Sequence, residues 1–455
     1  MLASSSPRHV HIAIVGGGLG GLALAIGLQK NSVPFHIYEA AAQFSEIGAG
    51  VVFGANAICA LDLIDPALLK AYRKHGTANP PGEWLTYRYG MDKKAESLQT
   101  NDQGPKHVGD IFWKQYDGAE SGYVHRARLL DEMVKLLPAS AASFKKRLSC
   151  IKDNPAGGLL LTFEDGVEVS ADAVVGCDGI KSSTRAYAHG DSVRPRYTGQ
   201  YAYRQLFPRD VVVSALGQER ADSMTLECGY GSYIIHYPVE GGSLINMTAV
   251  CHDERPDWTN DEWLLPVSHD SMLQDWKDWD PQLLQLISQI KHPERRALFD
   301  LRHGQPYAKG TVCLLGDSAH AATPHNGAGA AMAMEDAYIL SSLLTGCNSR
   351  EDIAAIFWAY DCVRRPRTQR LIRISRSTGR IKSFTGHGVL DDIEKIKQTL
   401  DFAYQEIWEV DLKADLDRAR ELKANAIRAQ ISRVSDTKDE SVCVLAIETL
   451  AVENQ

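Results

Sequence analysis

The chain has 455 residues, with 49 Lys and Arg against 57 Asp and Glu, a formal net charge of −8. The acid excess speaks against a nucleic-acid partner, which needs a basic face, and a chain of about three domain lengths buries its own core without staples. The nine cysteines are odd in number and widely spaced, with no Cys-x-x-Cys, which argues against a disulfide framework and a thiolate metal site.

Val10 to Val15 is a short β-branched run that reads as a buried strand. Gly16 to Gly21 interrupts it, and Leu22 to Lys30 reads as a helix of small and apolar residues. Phe35 to Tyr38 is a second strand, closed by Glu39. Strand, glycine turn, helix and strand within about thirty residues make a mononucleotide-binding unit. No apolar stretch is long enough to span a membrane; the nearest, Ile12 to Leu28, is broken by six glycines. The short polar N-terminus lacks the apolar core of a signal peptide. The expectation is a soluble cytoplasmic protein with reduced thiols.

Residues 76–120 are polar and weakly periodic, an insertion or a loop-rich excursion. Ala127 to Leu137 has helical apolar spacing, and Asp165-Gly166 between apolar runs predicts a hairpin over Gly158 to Val169. Ala173 to Val175 is another buried strand, followed by Gly176-Cys177-Asp178-Gly179. From Gln200 to Val250 the texture turns aromatic and β-branched, as in an antiparallel sheet; Asp253 to Arg296 is partly helical. Val312 to Leu315 returns to buried-strand texture and meets Gly316-Asp317. A long helical region runs from Ala330 to about Asn425, and the tail from Ser435 carries no signal.

Three glycine–acid motifs carry the chemistry. In Gly16-Gly17-Gly18-Leu19-Gly20-Gly21 the first glycine permits the tight turn. The second admits a pyrophosphate and the third lets helix and strand approach. The free N–H groups of the helix N-terminus suit phosphates, and Glu39 is placed to accept from a ribose hydroxyl. Cys177 to Arg185 and Gly316 to Ala330 each follow a buried strand. Asp317 is positioned to accept from a sugar-alcohol hydroxyl. The Gly327 to Ala330 backbone opens a helix whose N–H groups suit a developing anion.

All three motifs in this order resemble the single-component (group A) FAD-dependent aromatic hydroxylases. The salicylate hydroxylase-like branch, with its fungal polyketide monooxygenases, is the nearest. The resemblance runs from about Val10 to about Ala419 and includes Glu46-Ile47-Gly48-Ala49-Gly50, His125-Arg126, Ala202-Tyr203-Arg204, His236-Tyr237-Pro238 and Ile407-Trp408-Glu409. It implies an α/β fold: a glutathione-reductase-type Rossmann FAD-binding domain interleaved with an antiparallel-sheet substrate domain, plus C-terminal helices. The division would be 8–75, 120–185 and 300–345 for FAD, 76–119 and 186–299 for substrate, 346–430 for the helices and 431–455 for a tail. Gly16, Gly18, Gly21 and Glu39 would hold the ADP half of a non-covalent FAD, and Gly50 and Val52 would lie along it. Arg126 would reach it, Asp178 would sit at the pyrophosphate beside the NAD(P)H path, and Asp317, Gly329 and Ala330 would hold the ribityl chain and ring.

The same resemblance implies a reaction in which NADH or NADPH reduces FAD, O2 adds at C4a, and the hydroperoxide transfers oxygen to an electron-rich phenol. Arg204 is the candidate cation for the phenolate, Tyr237 a hydrogen-bonding partner, and His325 a substrate contact or proton relay. Two departures stand out: Arg128 where the family often has an acid, and Gln205 where glycine is common. The substrate is expected to be a salicylate- or orsellinate-like acid, with decarboxylative, simple and dearomatising outcomes all open. An epoxidase and a flavoprotein without oxygenase activity are the alternatives; the Gly-x-Trp-x-Trp-x-Ile-Pro of halogenases is absent. His9-x-His11 and the His320/His325 pair have no accompanying acid cluster, so no metal is expected. Gly316-Asp317-Ser318-Ala319-His320 lacks the final glycine of a serine-hydrolase elbow. The arginines from Arg364 to Arg380 wind around their helix and predict an ion-pairing element. The assembly expected is a monomer or homodimer.

Overall fold

The computed structural model describes residues 10–44, 50–78, 83–92, 107–116, 120–255 and 257–436. Glu46 to Ala49, His9 and the tail beyond 436 lie outside them. Ile12–Val15 is wholly buried and pairs in parallel with Phe35–Tyr38 on one side and Ala173–Gly176 on the other. Val312–Leu314 pairs in parallel with Ala173–Gly176, and short strands close both edges of this six-stranded sheet. Because these strands run the same way, Val15, Tyr38, Gly176 and Leu314 all end at one edge. Ligands of open parallel sheets bind outside the carboxyl ends of the strands. The three motifs, far apart in sequence, thus meet where a nucleotide would lie.

An eight-stranded sheet forms the second layer. Its centre is antiparallel: Arg196–Pro208, Leu244–His252 and Ser232–Val239, with Arg204 opposite Thr248 and Tyr237 opposite Asn246. The described parts of the 76–120 segment hold strands that its polarity does not suggest. These include Glu83–Tyr89 and Ile111–Tyr116, which extend the sheet past Thr225–Cys228. Leu85, Tyr87 and Tyr89 alternate into the core with the period of a strand. The Asp165-Gly166 hairpin forms as expected, with Leu159 opposite Ala171 and Gly166 at φ +82°.

The C-terminal helical region is four helices: Gly329–Leu344, Glu351–Lys382, Ile393–Trp408 and Leu412–Asp436. Five of the seven arginines of the second make ion pairs. Arg364 meets Glu335 (2.8 Å) and Asp336 (2.7 Å), Arg365 meets Asp361, Arg367 meets Glu335, Arg370 meets Glu406, and Arg376 meets Asp300. Glu335, Asp336 and Arg364 are fully buried, a placement that charged groups tolerate only when mutually paired. Among the described residues no helix is long and apolar enough to cross a membrane.

Candidate active site

The first glycine motif is built as its chemistry requires. Gly16 has φ +101°, and a Cβ there would lie 2.4 Å from the Cys177 carbonyl oxygen. A Cβ on Gly21 would lie 2.1 Å from the Gly16 oxygen. Only glycine allows both the backbone angle and the approach. Glu39 caps the second strand and accepts from the Gly17 N–H (2.7 Å) and the Ala41 N–H (2.7 Å). The helix Leu19–Lys30 begins at Gly18 with no side-chain cap, so its first N–H groups remain available to a phosphate.

A cavity opens from this point toward the eight-stranded sheet. Gly18, Gly50, Val52 and Arg126 line it on the nucleotide side, with Asp317, Gly329 and Ala330 beside them. Arg204, Tyr237 and His325 also line it. Three expected cofactor residues, Gly16, Gly21 and Glu39, stand behind the motif and shape it. Asp178 is turned away: its carboxylate accepts from the Ser182 hydroxyl (2.6 Å), the Thr184 N–H (3.0 Å) and the Thr184 hydroxyl (3.1 Å). It organises the start of the helix Ser183–His189.

The residues present fit an FAD. Asp317 is exposed to the cavity and has no hydrogen-bond partner among the described residues, an acceptor available to a ribityl hydroxyl. The helix Gly329–Leu344 starts without a side-chain cap; its first N–H groups can stabilise negative charge on a ring system. Buried pairing holds this wall in place. Asp336 accepts from the Gly316 N–H (3.1 Å) and lies 2.5 Å from His320 Nε2.

Arg204 projects from the antiparallel sheet, and neither an acid nor a hydrogen-bond acceptor meets it among the described residues. It is accessible through the cavity, yet enough protein surrounds it that desolvation lowers its pKa. Tyr237 is buried and donates to the Gly50 carbonyl (3.0 Å). Burial pushes its pKa up to about 12, despite the opposing pull of Arg204. Its one proton is therefore spent on the backbone, and only its lone pairs remain for a ligand.

His325 has no free ring nitrogen. Nδ1 lies 2.6 Å from the Tyr233 hydroxyl, and Nε2 lies 2.9 Å from Gln200 Oε1. The amide oxygen can only accept, so Nε2 carries the proton and Nδ1 accepts from Tyr233. Burial, then the charges of Lys382 and His252, push the imidazole pKa down to about 3. His325 thus holds Tyr233, which itself lines the cavity. Gln200, Tyr233, Lys382 and Tyr404 carry no local motif and escape a reading of the sequence. The two departures are quiet: Arg128 pairs with Glu240 (3.1 Å), and Gln205 donates to the Leu206 carbonyl (2.9 Å). Among the described residues no group of His, Cys, Asp and Glu could hold a metal.

Comparison with known proteins agrees with this geometry. The FAD binding domain family matches residues 9–375. The chain is 36% identical over 436 residues to 6-methylsalicylate 1-monooxygenase of Aspergillus terreus, covering 93% of this chain and 95% of that one. It is 33% identical over 429 residues to salicylate hydroxylase of Pseudomonas putida, covering 90% and 94%. A solved salicylate hydroxylase substrate complex superposes with a TM-score of 0.78 at 30% identity, over 91% of this chain and 98% of that one. The chain belongs to the FAD binding domain family and is an FAD-dependent monooxygenase of the salicylate hydroxylase type.

Proposed function

We propose that this enzyme hydroxylates a phenolic aromatic substrate, consuming one NADH or NADPH, one proton and one O2, and releasing water. The observation that carries this reading is Arg204: a guanidinium facing the cavity with no acid among the described residues to neutralise it. FAD, when bound, supplies the electron transfer and the activation of oxygen. The protein's part is to bind, orient and shield.

Gly18 and the uncapped helix behind it would receive the pyrophosphate, while Asp317 and the start of Gly329–Leu344 would receive the ribityl chain and ring. Arg204 stabilises the phenolate without exchanging a proton, since a guanidinium stays charged. Tyr237 is locked to Gly50 and supports the wall beside it. Tyr233, oriented by His325, lines the cavity. Leu85, Met224 and Ile235 give the ring an apolar surface, which also keeps water from the reacting atoms.

The test is oxidation of NADH and NADPH by the purified yellow protein, with and without salicylate, orsellinate-type acids and alkylated hydroxybenzaldehydes. Faster oxidation with a hydroxylated product supports the reading, and CO2 from the acids makes the reaction decarboxylative. Bound FAD with no phenol-stimulated oxidation overturns it.

A further inference from the structure

Lys382 ends the long helix Glu351–Lys382 and is 2% exposed. Lysines this deep are rare unless an acid accompanies them. Its Nζ lies 2.6 Å from the His325 carbonyl and 3.2 Å from the Tyr404 hydroxyl. No carboxylate reaches it among the described residues, and its third N–H has no acceptor there. Five of the seven arginines of the same helix have a carboxylate partner, the fully buried Arg364 among them, whereas Lys382 is buried without one.

Lys382 lines the cavity that Arg204 lines. Among the described lining residues, Arg126, Arg204 and Lys382 bring positive charge and Asp317 alone brings negative. Asp317 starts a short helix at the edge of the parallel sheet, on the nucleotide side. Tyr233 neighbours both Lys382 and Arg204, so this end of the cavity brings two cations together and, among the described lining residues, Asp317 is the one acid to set against them. The rings of Tyr233 and Tyr404 stand 6.0 and 5.8 Å from the ammonium. A ligand that completes this end needs an aromatic body and an anionic substituent.

We propose that Lys382 is a specificity-determining residue that binds the carboxylate of the substrate directly, while Arg204 serves the phenolate. This rests on the phenolic reading above and assigns the acid group a partner of its own. A charge-assisted hydrogen bond in a desolvated pocket is worth roughly 10- to 100-fold in affinity.

The experiment uses FAD-loaded wild type, Lys382→Met and Lys382→Gln. Salicylate and 6-methylsalicylate are each titrated against their primary amides, with the flavin absorbance change giving Kd. The amides keep the phenol and lose the charge. Wild type is expected to prefer each acid at least about tenfold, and both variants to lose that preference through weaker acid binding, with amide binding held within about threefold. Gln can still donate to His325 and Tyr404, so it separates the charge from the structural hydrogen bonds. Equal loss of acid and amide, or a preference that survives in Lys382→Gln, overturns the assignment and leaves Lys382 a structural clamp. Wild type binding the amides as tightly as the acids overturns it with no variant needed, and leaves the phenolic reading intact. Wild type responding to neither ligand takes down both.

Discussion

Nδ1 of His325 and the hydroxyl of Tyr233 lie 2.6 Å apart, although 92 positions separate the two residues. That contact fixes the histidine as a neutral acceptor. Its pKa falls to about 3, and those of His252 and His303 to about 4, chiefly through burial. In the unfolded chain each returns to about 6.5. Between those values the unfolded state binds more protons, so the stability these histidines contribute falls as pH drops below about 6.5 and is constant above it. Urea denaturation at pH 7.5 and pH 5 is expected to show this loss, and His325→Gln to flatten the slope. Equal wild-type stability at both pH values would contradict the neutral assignment.

Arg204→Gln is expected to fold and to keep its flavin, because the side chain makes no contact that holds the sheet together. Phenol-stimulated NAD(P)H oxidation should drop by roughly 100-fold, the value of a charge-assisted contact in a desolvated site. Flavin content and steady-state rate on one preparation decide the point; a normal rate removes Arg204 from substrate binding.

Gly21→Ala places a methyl group 2.1 Å from the Gly16 carbonyl oxygen. Backbone is on the receiving side, so the turn itself must move. The variant is expected to purify without flavin and to be less stable by about 1–3 kcal/mol, the range of overpacking costs. Flavin absorbance per protein and a thermal melt report both effects.

Asp317→Ala should behave oppositely. Among the described residues the carboxylate has no partner to lose, so melting of the flavin-free protein should be unchanged within about 0.5 kcal/mol, as for substitutions away from packed features. FAD affinity should weaken by roughly tenfold for one lost hydrogen bond. Fluorescence titration with FAD measures it.

Arg364→Met leaves Glu335 and Asp336 buried with less positive charge. Glu335 keeps Arg367 (2.7 Å), and Asp336 keeps His320. Removing one partner of a buried pair costs about 3–5 kcal/mol. Because Asp336 also holds the Gly316 N–H, loss of FAD is expected together with the loss of stability. A variant with wild-type denaturation would show that this cluster contributes nothing.

Gly16 to Gly21 with Glu39, Cys177 to Gly179, and Gly316-Asp317 were legible in the sequence because each is a local device. A glycine turn, a following helix and an acid at a strand end need only neighbouring residues to be recognised. Parallel pairing of the strands before them then brings all three to one sheet edge. The cofactor class and the ion-pairing role of the Arg364–Arg380 helix followed from the same short-range information. The tertiary structure alone decided what each polar group does in the pocket. Asp178 turns into its own helix start, Tyr237 gives its proton to Gly50, and His325 spends both nitrogens on residues 92 and 125 positions away. Lys382 reads as one more charge on a basic helix until folding buries it against the His325 carbonyl. Glu83–Tyr89 hides in a polar segment because its partner strand, Thr225–Cys228, lies far along the chain. Local backbone chemistry is written in consecutive residues; the partners of a side chain are set by packing between distant ones, and no short pattern encodes them.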